Sequence, residues 1–399
     1  MSPTFTSGKM KSMFRIIQDC SEAMINFISK NSQDNPMDVR YLSSCISMDV
    51  IAKCCFATDS NSFNDPNHIF ITFAKRFFNI SIWRRILIVV LPNFIRKLVN
   101  FSSFPMDSLI PLAHITENIL EQRSKDGHFG RKNQNNVNHN SDYLQLLIEA
   151  SNRRSVGVDS IDSAKQASRN DADSGSEDNL TKFKPLTTDE IVSNSVLFFA
   201  VGYDTTASLI TLVCYCLSKN PDVQSKLFNE LKILFEKNGN KFDYDTITNH
   251  KYLDAVISET LRIFPPVPII ERRVTESYTF KGKGIKVTKG SIVTLPIWHM
   301  HHDPNFWPHP EKFDPNRFLP DNKSNIVPYS YIPFGGGPRN CIGMRFALLV
   351  TKLTLANLVI NYELKPTPET NVHPLNLKPT IDAVLFSPRN VLVKFVERN

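Results

Sequence analysis

"PFGGGPRNCIGMRFA", residues Pro333–Ala347, sets three consecutive glycines, one arginine and one cysteine ahead of a run that turns apolar and helical. Glycine loses more backbone freedom on folding than any other residue, so a run of it marks a shape that other side chains forbid. The lone cysteine sits at the mouth of the helix, where the dipole and free N–H groups stabilise a thiolate. The pattern F-x-x-G-x-R-x-C-x-G specifies five positions in ten: Phe334, Gly337, Arg339, Cys341 and Gly343. Alone, a cysteine in a glycine turn reads as a buried structural thiol. With five positions specified, it reads as a ligand aimed at something large that lies flat against the loop.

The chain has 399 residues, 41% hydrophobic and 10% aromatic, enough for a large core and too apolar for disorder. Its formal net charge of +7 fits nucleic acid, an anionic membrane surface or an acidic partner. No run of Lys and Arg is dense enough to favour nucleic acid. Seven cysteines form no C-x-x-C pair and no regular framework, so they read as reduced, mostly buried thiols facing the cytosol. The start, "MSPTFTSGKMKSMF", is polar and basic, and reads as the inside of a domain rather than a signal or an anchor.

Apolar spacing predicts helices from about Gly8 to Phe56, broken at Asn35-Pro36. Residues Phe70 to Phe104 mix Phe, Ile and Trp with Arg and Lys, which suits a membrane interface or core helices with basic outer faces. Asp142–Ala150 reads as a short amphipathic helix, and Ser151–Lys184 as a disordered surface loop insertion rich in Ser, Asn and Asp. Asp189 opens a helix that runs past Leu217 and is long enough to span a bilayer. Gly202, Asp204, Thr205 and Thr206 at its centre make it a buried core helix with a polar break. Helices continue to about Arg262, short strands and Pro-rich turns follow Pro265, and a last long helix covers Met344 to about Tyr362 before a strand-like tail.

A thiolate is the soft, electron-rich axial ligand that haem iron accepts. On that reading Cys341 is the metal ligand, Arg339 pairs with a haem propionate, and Phe334 covers the sulfur. Asp204 and Thr205, alone, read as ordinary helix residues with Thr back-bonded to a carbonyl. Beside a thiolate loop they read as an acid and a hydroxyl that deliver protons on the oxygen-binding side. Glu259-x-x-Arg262 in "SETLRIF" shares one helix face, with Leu261, Ile263 and Phe264 around it to bury the pair. In "WHMHHDPNFWPHP", His299, His301 and His302 would alternate along a strand with weak ligand spacing, and read as histidines that satisfy backbone groups.

The cysteine loop resembles the signature of the cytochrome P-450 superfamily of haem-thiolate monooxygenases. "SPTFTSGKM", "SMDVIAKCCF", "NPDVQSKL", "ETLRIFPP" and "FGGGPRNCIGMRFAL" are similar to its microsomal, 3A-like animal branch. The resemblance covers nearly the whole chain. It implies a mainly α fold with small β-sheets, in which residues 1–399 form one domain around haem b (iron protoporphyrin IX). It also implies that an N-terminal anchor, a first sheet and a propionate-binding helix belong before Met1, so the chain reads as N-terminally truncated. Arg272 in "IIERRV" matches a propionate-binding position, and Glu259, Arg262 and Arg317 match a buried network that holds the cysteine loop. Asn316 stands where the family usually has Glu, and Val201 where Ala is usual; the latter narrows the space over the haem.

The implied reaction inserts one oxygen atom from O2 into an apolar small molecule such as a steroid, lipid or xenobiotic. Electrons come from an NADPH-dependent flavoprotein reductase, with cytochrome b5 as a further donor, on the cytosolic face of the endoplasmic reticulum membrane. Arg345 and Lys352 are the expected docking patch for that acidic reductase. The alternatives are a haem-thiolate isomerase of lipid peroxides, against which the acid–Thr pair argues, and a non-catalytic truncated remnant.

Overall fold

A computed structural model describes residues 7–32, 35–65, 68–78, 83, 86–87, 90–98, 101, 106–125, 143–145, 147–148, 186–370, 377–380 and 385–398. Among them the chain is mainly helical, with four small antiparallel sheets. The expected loop at Ser151–Lys184 lies outside the described residues. Of the helix expected at Asp142–Ala150, residues 143–145 and 147–148 are helical.

Helix α1 (Ser7–Asn31) buries Met10, Met13, Ile17, Cys20, Met24 and Ile28, a stripe at three- and four-residue steps. A two-residue strand, β1 (Met37–Asp38), leads into α2 (Val39–Phe56), capped by the Asp38 side chain on the Arg40 N–H and buried over most of its length. Then come α3 (Ile69–Phe78), α4 (Asn93–Leu98) and α5 (Met106–Lys125).

The central element is α6 (Thr188–Lys219). Its first turn is closed by a capping box: Glu190 N–H donates to Thr187 Oγ1 (3.2 Å), and Thr187 N–H to Glu190 Oε2 (2.8 Å). Phe199 meets Phe56, Phe70 and Phe73 at centroid distances of 6.0, 5.1 and 5.5 Å, so one α6 ring holds α2 and α3 together. Gly202 lets α2 approach closely: a Cβ there would stand 3.1 Å from Ile51 Cδ1. The polar centre does not break the helix, which runs unbroken from Thr188 to Lys219. Both α6 and α11 (Met344–Asn361) are long and apolar enough to cross a membrane, yet 72% and 67% of their most apolar windows are buried inside the protein. That burial gives both helices the role of core helices.

Helices α7 (Pro221–Lys237), α8 (Tyr244–Thr248) and α9 (Lys251–Ile263) follow. Strands β2 (Ile270–Arg273), β3 (Tyr278–Thr279), β4 (Lys286–Val287) and β5 (Ile292–Leu295) make two small sheets, β2 with β5 and β3 with β4. Helix α10 (Ile297–His302) comes next. After α11, β6 (Tyr362–Pro366) and β9 (Leu392–Glu397) join β1 in a sheet ordered β1-β9-β6, with Met37 opposite Val393 and Leu364 opposite Phe395. Strand β7 (Leu377–Thr380) pairs with β8 (Leu385–Pro388). Gln224 ties α7 to β6: its Nε2 donates to Leu364 O (3.0 Å), and its Oε1 accepts from Leu364 N–H (2.7 Å).

Glu259 and Arg262 on α9 form a fully buried bidentate pair, with Nε–Oε2 at 2.8 Å and Nη2–Oε1 at 2.9 Å. Arg262 also donates to the carbonyls of His301 (2.9 Å), Pro310 (2.8 Å) and Lys312 (3.3 Å), and Glu259 accepts from Asp314 N–H (2.9 Å). Arg317 completes the network on the carbonyls of Pro308 and His309. Its Nε stands 3.4 Å from Glu259 Oε1, an ion pair without hydrogen-bond alignment. Burial pushes the Glu259 carboxyl up, and the Arg262 and Asp314 bonds pull it back only in part. A desolvated pair of this kind is scaffolding, kept because every polar group finds a partner.

His299, His301 and His302 lie on the short helix α10 and not on the expected strand. His301 is fully buried, and its Nε2 accepts from Ile332 N–H (3.1 Å). Burial and the nearby Arg262 charge lower its pKa to about 4, although the carbonyls of Arg262 and Leu261 resist.

Two outcomes follow. Glu259→Gln and Arg262→Leu should each cost roughly 3–5 kcal/mol, since each strands a buried partner. Glu259→Leu/Arg262→Leu should cost less than their sum, which denaturant melts of the three variants check. On acidification, the unfolded chain protonates His301 near 6.5 while the folded chain resists to about 4, so stability is lost across that interval. The loss should approach roughly 3 kcal/mol, and unfolding titrations of His301→Gln should show that much less pH dependence than the parent.

Candidate functional site

Backbone bonds shape the loop ahead of α11: among them Gly335 N–H donates to Ile332 O (2.9 Å), Asn340 N–H to Gly337 O (3.1 Å), and Cys341 N–H to Phe334 O (2.8 Å). Gly335 and Gly337 both have φ of +74°, the left-handed region where a Cβ is strained. A Cβ on Gly336, Gly337 or Gly343 would meet nothing within 4 Å, so this flank of the loop is open. Of seven free cysteines, Cys341 alone is exposed, and the other six are buried. The loop still crowds its sulfur: burial raises the thiol pKa, and the N–H groups of Gly343 and Met344 offset this only in part. The helix start therefore supplies donors to the sulfur, but in the free chain they do not outweigh its desolvation. Phe334 is half-buried, with its ring packed against the core.

Strand β2 lies along this loop. Ile270 Cδ1 is 3.5 Å from the Cβ position of Gly335, and Arg272 Nη2 donates to Arg339 O (3.0 Å). Arg272 and Arg339, predicted separately, are thus neighbours. Both are exposed, and neither pairs with a carboxylate among the described residues. Phe346, one turn into α11, meets Phe198 of α6 at 5.7 Å and sets the loop against the central helix.

On α6 the site residues diverge. Asp204 is buried, and its carboxylate is paired with Arg40 of α2. Arg40 Nη1 also reaches Ser208 Oγ (3.0 Å), and Ser47 Oγ donates to Tyr203 O (3.0 Å). Thr205 is half-buried, and its hydroxyl donates to Val201 O (2.8 Å), the ordinary helical back-bond. Leu197 (58% exposed) and Val201 (53% exposed) stand one turn apart on the same stripe as Thr205. The structure therefore sets Thr205 on an open apolar stripe and turns Asp204 toward α2.

Sequence reasoning missed Arg40 and the link from His301 to Ile332. No local pattern reveals either, because the partners lie 164 and 31 residues apart. Lys352 needs correction: it is 5% exposed, with Nζ on Thr248 O (2.6 Å) and Asp254 Oδ1 (2.5 Å), so it belongs to no docking face. A lysine in the middle of an apolar helix, at a position that packs inward, was the available signal. Arg345 is exposed as expected.

The donor set fits haem b. An exposed cysteine leads a helix, an open glycine flank leaves room for a planar ring, two arginines without carboxylate partners among the described residues suit its propionates, and an apolar stripe on α6 supplies a dry wall.

Comparison with known proteins agrees. The cytochrome P450 family model matches residues 1–395. Cytochrome P450 3A2 of Rattus norvegicus is 33% identical, over all of this chain and 73% of its own length. Cytochrome P450 3A31 of Mesocricetus auratus is 35% identical and cytochrome P450 6k1 of Blattella germanica 30% identical, each over all of this chain and 72% of its own length. A match this long, joined to a helical fold and a cysteine loop that suits haem, leads to one conclusion: the chain belongs to the cytochrome P450 family of haem-thiolate monooxygenases.

Proposed function

We propose that residues 1–399 act as one catalytic domain that oxidises an apolar small molecule of the steroid, lipid or xenobiotic class, with Cys341 as the only protein ligand to the haem iron. One observation carries this reading: Cys341 is the single exposed cysteine, held by its own N–H on Phe334 O beside a glycine flank with open space. When bound, haem supplies the oxygen-activating chemistry, and a thiolate ligand donates electron density that favours O–O cleavage.

The chain's own residues orient, exclude water and hold protons. Arg272 and Arg339 receive the propionates. Leu197 and Val201 present a dry surface to an apolar substrate, and the branched Val201 leaves less room than alanine would. Thr205 donates its own proton to Val201 O, which leaves its oxygen lone pairs free to hold a water. Asp204 is engaged by Arg40, so it serves the oxygen-binding side only when that pair opens. Thr205 is the hydroxyl available without rearrangement.

The reductase is an NADPH-dependent flavoprotein, with cytochrome b5 as a second electron donor, and exposed Arg345 is part of the docking face. Trp83 (71% exposed), Val90, Phe94 and Leu98 (83% exposed) are exposed large apolar residues, in a stretch whose sequence mixes them with Arg and Lys, which supports a membrane interface. The cytosolic face of the endoplasmic reticulum is the setting this implies.

Cys341→His should abolish the thiolate-type band of the reduced carbon monoxide complex while some haem stays bound; an unchanged band would sink the assignment. Thr205→Ala should keep haem content and reduction, yet raise peroxide released per NADPH consumed. A group that positions protons is typically worth about 10²–10⁴-fold, so the shift should be large. Equal product, peroxide and NADPH ratios in variant and parent would leave Thr205 as a helix-bonded residue only.

A further inference from the structure

We infer that His301 is the positioning residue of the cysteine loop: its Nε2 takes the Ile332 N–H and thereby fixes, through the loop's own backbone bonds, where the Cys341 sulfur stands. The inference rests on the reading of Cys341 as the haem ligand.

The bonds form one continuous path. Arg262, already locked to Glu259, donates to His301 O (2.9 Å). The His301 ring takes Ile332 N–H at 3.1 Å. Ile332 O takes Gly335 N–H (2.9 Å), and one residue away Phe334 O takes Cys341 N–H (2.8 Å). The path from the buried ion pair to the cysteine backbone thus has a single side-chain step, and that step is His301. The ring is fully buried and packs face to face on Tyr331, with centroids at 5.3 Å and planes at 26°. Tyr331 is itself anchored, its hydroxyl donating to Ser258 O on α9 (3.1 Å).

Three features argue for positioning over simple filling. An imidazole that accepts at Nε2 must be neutral and carry its proton on Nδ1, so one tautomer is selected. The carbonyls of Arg262 and Leu261 stand beside the ring and favour a proton on it, so polar groups as well as packing hold it in place. The lowered pKa of His301 keeps the ring an acceptor through the physiological range. Outer groups that orient a ligand are commonly worth about 10–100-fold in metal affinity or activity.

The test uses the full chain loaded with haem and three variants. His301→Phe and His301→Met keep bulk and lose the acceptor; His301→Gln keeps an acceptor. In both apolar variants the thiolate fraction of the reduced carbon monoxide complex should fall at least severalfold at unchanged total haem. Exchange of the Ile332 amide should quicken about tenfold, while amides within α11 stay protected. His301→Gln should restore both toward the parent.

A full thiolate band and a parent-like Ile332 amide in His301→Phe or His301→Met would overturn the inference. If neither apolar variant folds, the Gln variant decides: a slow Ile332 amide with a parent-like band supports it, and a fast amide with a parent-like band rejects it. If the parent itself lacks a thiolate band, the Cys341 reading fails separately, and amide exchange at Ile332 and Cys341 still reports whether His301 holds the loop.

Discussion

The buried pair of Glu259 and Arg262 is the constraint on which the chain from α10 to the cysteine loop depends. Two charges removed from water are tolerable only where every remaining donor and acceptor is satisfied. That demand recruits the carbonyls of His301, Pro310 and Lys312, the N–H of Asp314 and the guanidinium of Arg317. A segment with little regular structure is thereby tied at five places to one helix. The cysteine loop follows that segment in sequence and inherits its placement. Gly335 and Gly337 then adopt positive φ angles, and Cys341 stands as the exposed cysteine of the chain.

The second constraint is the division of α6 between its faces. Phe199 binds the aromatic residues of α2 and α3, while Gly202 permits the close approach of Ile51. Once α2 is that near, Arg40 reaches Asp204 and the central acid is consumed in holding two helices together. The opposite stripe, Leu197, Val201 and Thr205, stays open. The packed face and the open stripe thus come from the same helix. Neighbours in sequence part because successive helical residues point about a quarter-turn or more apart.

Much of this was legible in the residues. Helical periodicity located α1, α2, α6 and α11 to within a few residues, and the end of α9, because each buries an apolar stripe long enough to repeat. The loop signature singled out Cys341, since glycine, arginine and cysteine at fixed spacing leave few structural explanations. Glu259 and Arg262 were legible as a pair because residues three apart in a helix are neighbours whatever the tertiary fold. The histidines after β5 were misread as a strand, since an alternation over four residues cannot be told from one helical turn.

The sequence by itself determined the helical class, the family, the cysteine and the internal pair of α9, all of which depend on local geometry or on a motif within ten residues. Only the tertiary structure decided what the isolated polar residues do. It turned Lys352 inward onto Asp254, engaged Asp204 with Arg40, left Thr205 on the open stripe, and placed His301 under Ile332. The physical reason is common to all four. A buried polar group must find a partner, and the partner available is set by which elements pack together, not by its neighbours in the chain.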